Sequence, residues 1–372
     1  MTGDAAVGTT LGVEEEFHVV NPRTGAVAAE ALKLLAHPNG DHDPEAELLR
    51  SVVETATSVC RDLAGVRAEV VACRRALVKT AAEHDLVVAT SGTVPASGDR
   101  TVDVYPKVRY RRMAAEYQQL VREQAVCAFQ VQIGVPDRDL AVAIVGRIQP
   151  WMPVLLALSA SSPFFANADT GYASYRSVIW SRWPTAGPIY GFASAAEYDA
   201  TIKTLIESGI IVDPGMVYFD ARPSARYPTV EIRIADGCPR VDDVVLLTAL
   251  GRALVVTAAN EISEDAAPIS SRPELLRAAN WRAARSGLGG ELLSPADAES
   301  RPAADVVRAL REYVGPVLAR FGDVVEVDVL LADLLERGTS ADRQRAVLDE
   351  GGTLSDVTAH LVAETRAGID AL

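Results

Sequence analysis

Three consecutive glutamates stand inside the run LGVEEEFHVV, residues 11–20, and no other feature restricts the fold of this chain so tightly. Leu11, Val13, Phe17 and Val19 alternate with Glu14, Glu16 and His18, so a strand puts the first set on one face and the second on the other. Adjacent carboxylates repel one another and lose hydration when buried, so such a strand needs compensating positive charge. Glu15 falls on the apolar side. It reads as structural, either paired with a helix arginine or placed at a local irregularity.

The same two-residue period returns further on. LLRSVVETAT (48–57) reads as a second strand carrying Glu54, and LVVAT as a short one. In AVCAFQVQIGVPD, Cys127, Phe129, Val131 and Ile133 share one face, and Gln130 and Gln132 the other. TVEIRIAD (229–236) sets Glu231 and Arg233 against Val230, Ile232 and Ile234. Between these segments the period changes. Leu63, Val66, Val70, Cys73, Leu77 and Ala81 form a helical stripe, DVYPKVRYRRMAAEYQQLVREQ reads as a loop entering a second helix, and a long helix covers roughly 138–160. Residues 161–192 hold two of the four tryptophans with Pro, Gly and Ser and no period, too long for an inert connector. From about 240 the chain is helical, with breaks near 264–273 and 286–302.

Strands with one apolar face and one ionic or amide face predict an α+β fold: an antiparallel sheet covered by helices on one side, with the other side open. One domain over residues 1–372 is expected, with 256–372 as its mainly helical C-terminal part. Fifty acidic against thirty-six basic residues give a net charge of -14, which argues against nucleic acid as a partner. The start, MTGDAAVGTT, lacks a leader pattern, and the most apolar run, WMPVLLALSA, is short and broken by Pro153, so a soluble cytoplasmic protein with no membrane partner is expected. Cys60, Cys73, Cys127 and Cys238 show no CxxC pair and read as buried thiols.

Glu14, Glu16, Glu54, Gln130, Gln132 and Glu231 are a set of oxygen donors from four strands that can be neighbours. Hard cations such as Mg²⁺ take oxygen ligands, and carboxylates two residues apart on a strand face one site. A solvated sheet face is the competing reading. Arg233 beside Glu231 is either a salt bridge along one strand face or a phosphate clamp next to a metal ligand. Arg176, Arg182, Arg222 and Arg226 lie in aromatic- and proline-bearing loops. Each singly suits the surface, and together they suit an anion. With no GxxxxGK[ST] or GxGxxG, a nucleotide would bind through metal and arginine.

The segments GVEEEF, VETAT, CAFQVQIGVPD, TGYASYRSVIWSRWPTAGP and RPSARYPTVEIRIAD resemble, in order and spacing over residues 11 to about 255, the glutamate-cysteine ligase type 2 family (YbdK-type carboxylate-amine ligases). The resemblance implies a glutamine-synthetase-like fold, a curved antiparallel sheet of about six strands with helices on its convex face. It implies an ATP-dependent ligase joining a carboxylate, typically the γ-carboxylate of glutamate, to an amine through an acyl phosphate, with Mg²⁺ or Mn²⁺ on the phosphates. Glu14, Glu16, Glu54 and Glu231 match the family's metal ligands, and Arg233 the arginine facing the transferred phosphoryl group. Arg182 and Arg222 match arginines of substrate- or phosphate-facing loops, and Arg176 and Arg226 are grouped with Arg233 as nucleotide-binding. A homo-oligomer is left open.

One departure stands out. Where the family carries HxH, this chain has Gln130 and Gln132, which keep an oxygen ligand but lose the imidazole. That substitution keeps two other readings alive: a catalytically silent nucleotide-binding or regulatory homologue, and a phosphotransferase on the same scaffold.

Overall fold

The computed structural model describes residues 7–36, 42–96, 103–269 and 272–369. The first six residues, read above for the absence of a leader, lie outside them. Nine strands precede the long central helix: β1 (Leu11–Val20), β2 (Glu45–Ala46), β3 (Val52–Ala56), β4 (Val87–Ala89), β5 (Phe129–Gly134), β6 (Phe164–Phe165), β7 (Ala168–Asp169), β8 (Ala221–Pro223) and β9 (Thr229–Ile232). Seven form one antiparallel sheet in the order β2-β3-β1-β5-β9-β8, with β4 also paired to β1, while β6 and β7 make a separate hairpin. The alternating segments found in the sequence are thus neighbours in space, with β1 between β3 and β5.

The apolar face is packed by helices. Leu11, Val13, Val131, Ile133, Val230 and Ile232 join one core with the helix Val241–Ser263, whose VDDVVLLTALGRALVVTAA run is buried over nearly its whole length. Gly251 of that helix permits close approach, since a Cβ there would stand 3.2 Å from Ile232 Cδ1. Leu63–Ala82 is started by Asp62, whose side chain accepts from Gly65 N, and it buries the predicted stripe. The predicted helix 138–160 is three pieces: Arg138–Ile148, a 3₁₀ turn at Gln149–Trp151, and Met152–Ser159. Pro150 and Pro153 supply no N–H and each falls at the start of its piece, so the register resets there. The span Arg138–Ser159 is long and apolar enough to cross a membrane, but 78% of its most apolar stretch is buried inside the fold.

Beyond the central helix come Pro273–Ser286, then a short hairpin at Glu291–Leu293 and Ser300–Pro302 where only a break was expected, then five helices ending with Leu354–Arg366. That last helix packs on β4, and Thr365 Oγ1 accepts from Thr90 N at 3.1 Å.

Glu15 has the helix arginine that its position demanded. Fully buried Arg74 donates to both its carboxylate oxygens, Nε to Oε2 at 3.1 Å and Nη2 to Oε1 at 2.5 Å. The same guanidinium donates to the carbonyls of Cys238 (2.7 Å), Thr365 (3.4 Å) and Pro239. A buried charge is tolerated when paired and hydrogen-bonded, and this one is both. His18 is a core residue; its Nε2 lies 3.2 Å from Ser91 O, and burial pushes its imidazole down to about 4, so it is neutral near pH 7. All four cysteines are free and buried.

Candidate active site

The face turned from the helices collects the ionic residues through strand register. Glu14 lies opposite Gln130, Glu16 opposite Glu54, and Gln132 and Arg222 both opposite Glu231. This face is not open, contrary to expectation. Glu231 and Gln130 are 2% and 3% exposed, because Leu48, Tyr110, Met113, Trp183 and Tyr218 build a second apolar cluster over that side. Gln130, Gln132 and Glu231 are therefore not solvated residues on a bare sheet, while Glu14, Glu16 and Glu54 are half-buried.

The burial makes the charges expensive, and the structure compensates them unevenly. Arg222 grips Glu231 with both fork positions, Nε to Oε2 and Nη2 to Oε1, each at 3.1 Å, and Arg233 donates to Oε1 as well. Burial would raise the Glu231 carboxyl, but Arg233 and Arg222 overcome it and hold it down at about 2. Glu14, Glu16 and Glu54 move the other way. Burial raises each; Glu231 adds to the shift at Glu14, and Glu47, Glu14 and Glu16 crowd Glu54. Five carboxyl groups, counting Glu47, share this face with the guanidiniums of Arg222 and Arg233, so negative charge is in excess.

The two glutamines, expected as oxygen ligands, are otherwise engaged. Gln130 Oε1 accepts from Arg233 Nη1, and its side chain also bonds the Glu16 carboxylate. Gln132 Oε1 accepts from Thr229 Oγ1 at 2.6 Å, while its Nε2 donates to Glu14 Oε1 at 3.2 Å. As placed they tether the carboxylates and present no free oxygen to an ion. Their physical advantage is an amide with both donor and acceptor, which a carboxylate neighbour and a cationic or hydroxyl neighbour satisfy together.

Among the described residues, no three His, Cys, Asp or Glu side chains stand as a ready metal cage. The donor chemistry nonetheless fits a hard divalent ion. Carboxylates directly opposed on neighbouring strands, raised by burial and by each other, are relieved by a cation that water cannot replace. Arg233 Nε is buried with no hydrogen-bond partner among the described residues, a donor that an anion would satisfy.

Arg233 lines two cavities. The smaller, about 90 Å³, adds Glu16, Glu47, Arg109, Tyr110 and Tyr218; the larger, about 420 Å³, adds Arg176, Asp220, Asn280 and Trp281, and Trp180 and Trp183 border both. Glu47 was missed in the sequence. Burial and the nearby Glu16 push its carboxyl up to about 7, and Tyr110 Oη lies 3.4 Å from Oε2. Its signal was the alternation EAE, whose first member, Glu45, is in register with Glu54, but the strand stops at Ala46 and Glu47 follows it. Asp220 was also missed, although it precedes Arg222 by two, the same spacing as Glu231 and Arg233.

The remaining arginines are scattered. Arg176 is buried and binds backbone, Nη1 to Ile234 O at 3.2 Å and Nη2 to Arg233 O at 3.3 Å, so it holds the end of β9 as well as lining the larger cavity. Arg182 pairs with Glu123 and bonds Ile179 O, away from both cavities. Arg226 is exposed in the β8–β9 turn. Neither of these two is gathered with the strand carboxylates; the exposed turn and the surface ion pair take them elsewhere.

The sequence profile of glutamate-cysteine ligase family 2 (GCS2) matches residues 10–360. A Frankia alni protein named "Putative glutamate--cysteine ligase 2-2" is 44% identical over 372 residues, covering 96% of this chain and 97% of that protein. A Frankia casuarinae protein of the same name is 48% identical over 356 residues, 96% of this chain but 41% of its own length. This chain therefore spans about two fifths of that relative, and likewise 42% of a further Frankia alni protein that is 47% identical. Among solved structures, glutamate--cysteine ligase from Francisella tularensis, in complex with AMP, has a TM-score of 0.71 at 12% identity, covering 98% of this chain and 90% of that one. A bifunctional glutathione synthetase from Pasteurella multocida gives 0.68 at 14% identity, over 97% of this chain and 52% of the other. At such identities the likeness is one of fold.

Proposed function

This chain belongs to glutamate-cysteine ligase family 2, and from that membership we propose that it is an ATP-dependent ligase joining a carboxylate, glutamate in the first instance, to an amine through an acyl phosphate. The observation that carries the reading is the row of half-buried carboxylates on β1 and β3, Glu14, Glu16 and Glu54, which no arginine grips as Arg222 grips Glu231, with Arg233 lining the cavities beside it. Such a row has little value for stability and suits the handling of phosphate oxygens through cations.

Glu14, Glu16 and Glu54 would hold Mg²⁺ or Mn²⁺, which would supply positive charge against phosphate oxygens, and Glu231 would join them by giving up one of its bonds to Arg222 or Arg233. Arg233 stands between the two cavities and offers its guanidinium to the migrating phosphoryl group and then to the oxyanion of the tetrahedral adduct. Arg222 keeps Glu231 ionised and fixed, with its own remaining Nη1 tied to Val217 O at 2.6 Å. Gln130 and Gln132 fix Glu16 and Glu14 from the adjacent strand, a task for an amide rather than a titrating ring. Trp180, Trp183 and Tyr218 exclude water, so that amine rather than hydroxide reaches the activated carboxylate. The AMP held by the Francisella protein supports a nucleotide on this fold.

The test is direct. Purified protein with ATP, Mg²⁺, glutamate and a broad amine panel should release ADP in an amine-dependent manner and yield a new amide. Amine-independent hydrolysis alone, or a stable phosphorylated acid as the end product, would overturn it.

A further inference from the structure

Asp220 is a buried carboxylate on the wall of the larger cavity, and it has no ion pair among the described residues. Its Oδ2 accepts from Asn280 Nδ2 at 2.7 Å, and its backbone oxygen accepts from Arg233 N at 2.8 Å, which seats it next to the arginine common to both cavities. Arg176 acts on it only from a distance: its Nη atoms donate to Ile234 O and Arg233 O, its Nη1 lies 3.7 Å from the buried carboxylate of Asp236, and only its Nε is left over. Glu231, gripped by two guanidiniums, is held low. Asp220 is instead pushed up to about 6 by burial. A buried acid in this condition lacks a cation.

The cavity supplies the complement as well. It is about 420 Å³, and besides Asp220 it presents the guanidiniums of Arg176 and Arg233, with Arg277 and Trp281 on exposed sites of the helix Pro273–Ser286. Arg176 Nε is buried with no hydrogen-bond partner among the described residues. One wall thus takes a cation and the opposite character takes an anion within a single space, the chemistry that recognises a zwitterion.

We infer that this cavity binds an α-amino acid as its zwitterion, with Asp220 as the seat of the ammonium group and the arginines facing the carboxylate. Asp220 is then a specificity-determining residue: it separates an amino acid from the same molecule without nitrogen. Asn280 is its positioning residue, holding one carboxylate oxygen so that the other meets the ligand. The inference rests on the ligase reading only in expecting an amino acid among the substrates, and it is tested by binding rather than by turnover.

Two matched pairs serve as probes, L-glutamate with glutarate and L-cysteine with 3-mercaptopropionate, each titrated calorimetrically into the full chain with Mg²⁺ and a non-hydrolysable ATP analogue. The unmutated protein should bind the ammonium-bearing member of one pair at least about tenfold more tightly than its partner, the size expected for a charge-assisted bond. The pair that responds identifies whether the acid or the amine occupies the cavity. Asp220→Asn should erase that preference while leaving ATP-analogue binding within about twofold. Asp220→Glu should restore part of it.

No preference in either pair for the unmutated chain, or a preference that survives Asp220→Asn, overturns the assignment. Should Asp220→Asn fail to fold, the unmutated chain's two ratios and Asp220→Glu still decide. Failure of amide synthesis with the binding preference intact would count against the ligase reading and not against this one.

Discussion

Arg222 and Glu231 face each other across β8 and β9 and share two parallel hydrogen bonds of 3.1 Å, in a place where Glu231 is 2% exposed. Removing one member of a buried pair strands the other. Arg222→Ala should cost about 3–5 kcal/mol of unfolding free energy. Glu231→Gln should also destabilise, because two buried guanidiniums lose their shared anion. Urea denaturation curves check both, and Arg222→Lys should fall between, keeping the charge without the fork.

Glu14 is expected to behave differently, although it lies on the same face. Burial and the Glu231 charge both act against its ionised form. Glu14→Gln should leave the urea midpoint unchanged or higher while lowering amine-dependent ADP release by 100-fold or more, on the order of 3 kcal/mol in transition-state terms. A midpoint well below the parent's would show that this carboxylate is structural.

Divalent cation should stabilise the folded chain. At pH 7.5 the unfolding free energy should be lower in EDTA than with Mg²⁺ or Mn²⁺, by about 2.7 kcal/mol when free ion is a hundred times its dissociation constant. Glu54→Gln should shrink that difference. Equal melting with and without ion, in the presence and absence of ATP, would argue that the carboxylates hold no metal.

Asp220 gives a pH dependence whose sign can be worked out. Its folded value of about 6 lies above the ordinary 3.8, so between these limits the folded state keeps a proton that the unfolded chain has released. Stability is then fully present below about pH 4 and is lost as pH rises through 6. Asp220→Asn should remove that slope and raise stability at pH 7 by on the order of 2–3 kcal/mol. The gain would accompany the loss of ammonium binding, which is the usual relation between a site and the fold that carries it.

Gln130→His and Gln132→His bear on the amide tethers. A neutral imidazole also has one donor and one acceptor, but they are fixed on a rigid ring on a shorter stem, so they do not fall where the amide meets both Arg233 and Glu16, or both Thr229 and Glu14. Each change should cost about 1–3 kcal/mol in stability and shift the rate ratio between Mn²⁺ and Mg²⁺ toward Mn²⁺, which accepts nitrogen more readily. Unaltered stability and unaltered metal ratio would place these side chains outside the site.

The sheet was legible because its chemistry follows a strict period: every side chain from Leu11 to Val19 has its face assigned by parity, and the misfit Glu15 demanded a cation that Arg74 supplies. What parity cannot report is what lies over a face. The roof comes from Tyr110 and Met113 of a helix and from Trp183 and Tyr218 of irregular segments, none of which signals where it will lie, and it turns an apparently solvated surface into a largely covered one. Glu47 escaped because it lies just past a strand only two residues long, and Asn280 because nothing in a helical stretch some sixty residues away signals that it meets Asp220. Arginines in loops were the least readable: Arg176 turned inward to backbone carbonyls and Arg182 outward to Glu123, and a planar donor fork suits either use.

The acceptors gathered by Arg74 come from residues 15, 238, 239 and 365, so one guanidinium cross-links the beginning, middle and last helix. Loss of that single cation would therefore loosen three stretches of chain at once: β1 through Glu15, the turn that leads into the helix Val241–Ser263, and the helix Leu354–Arg366.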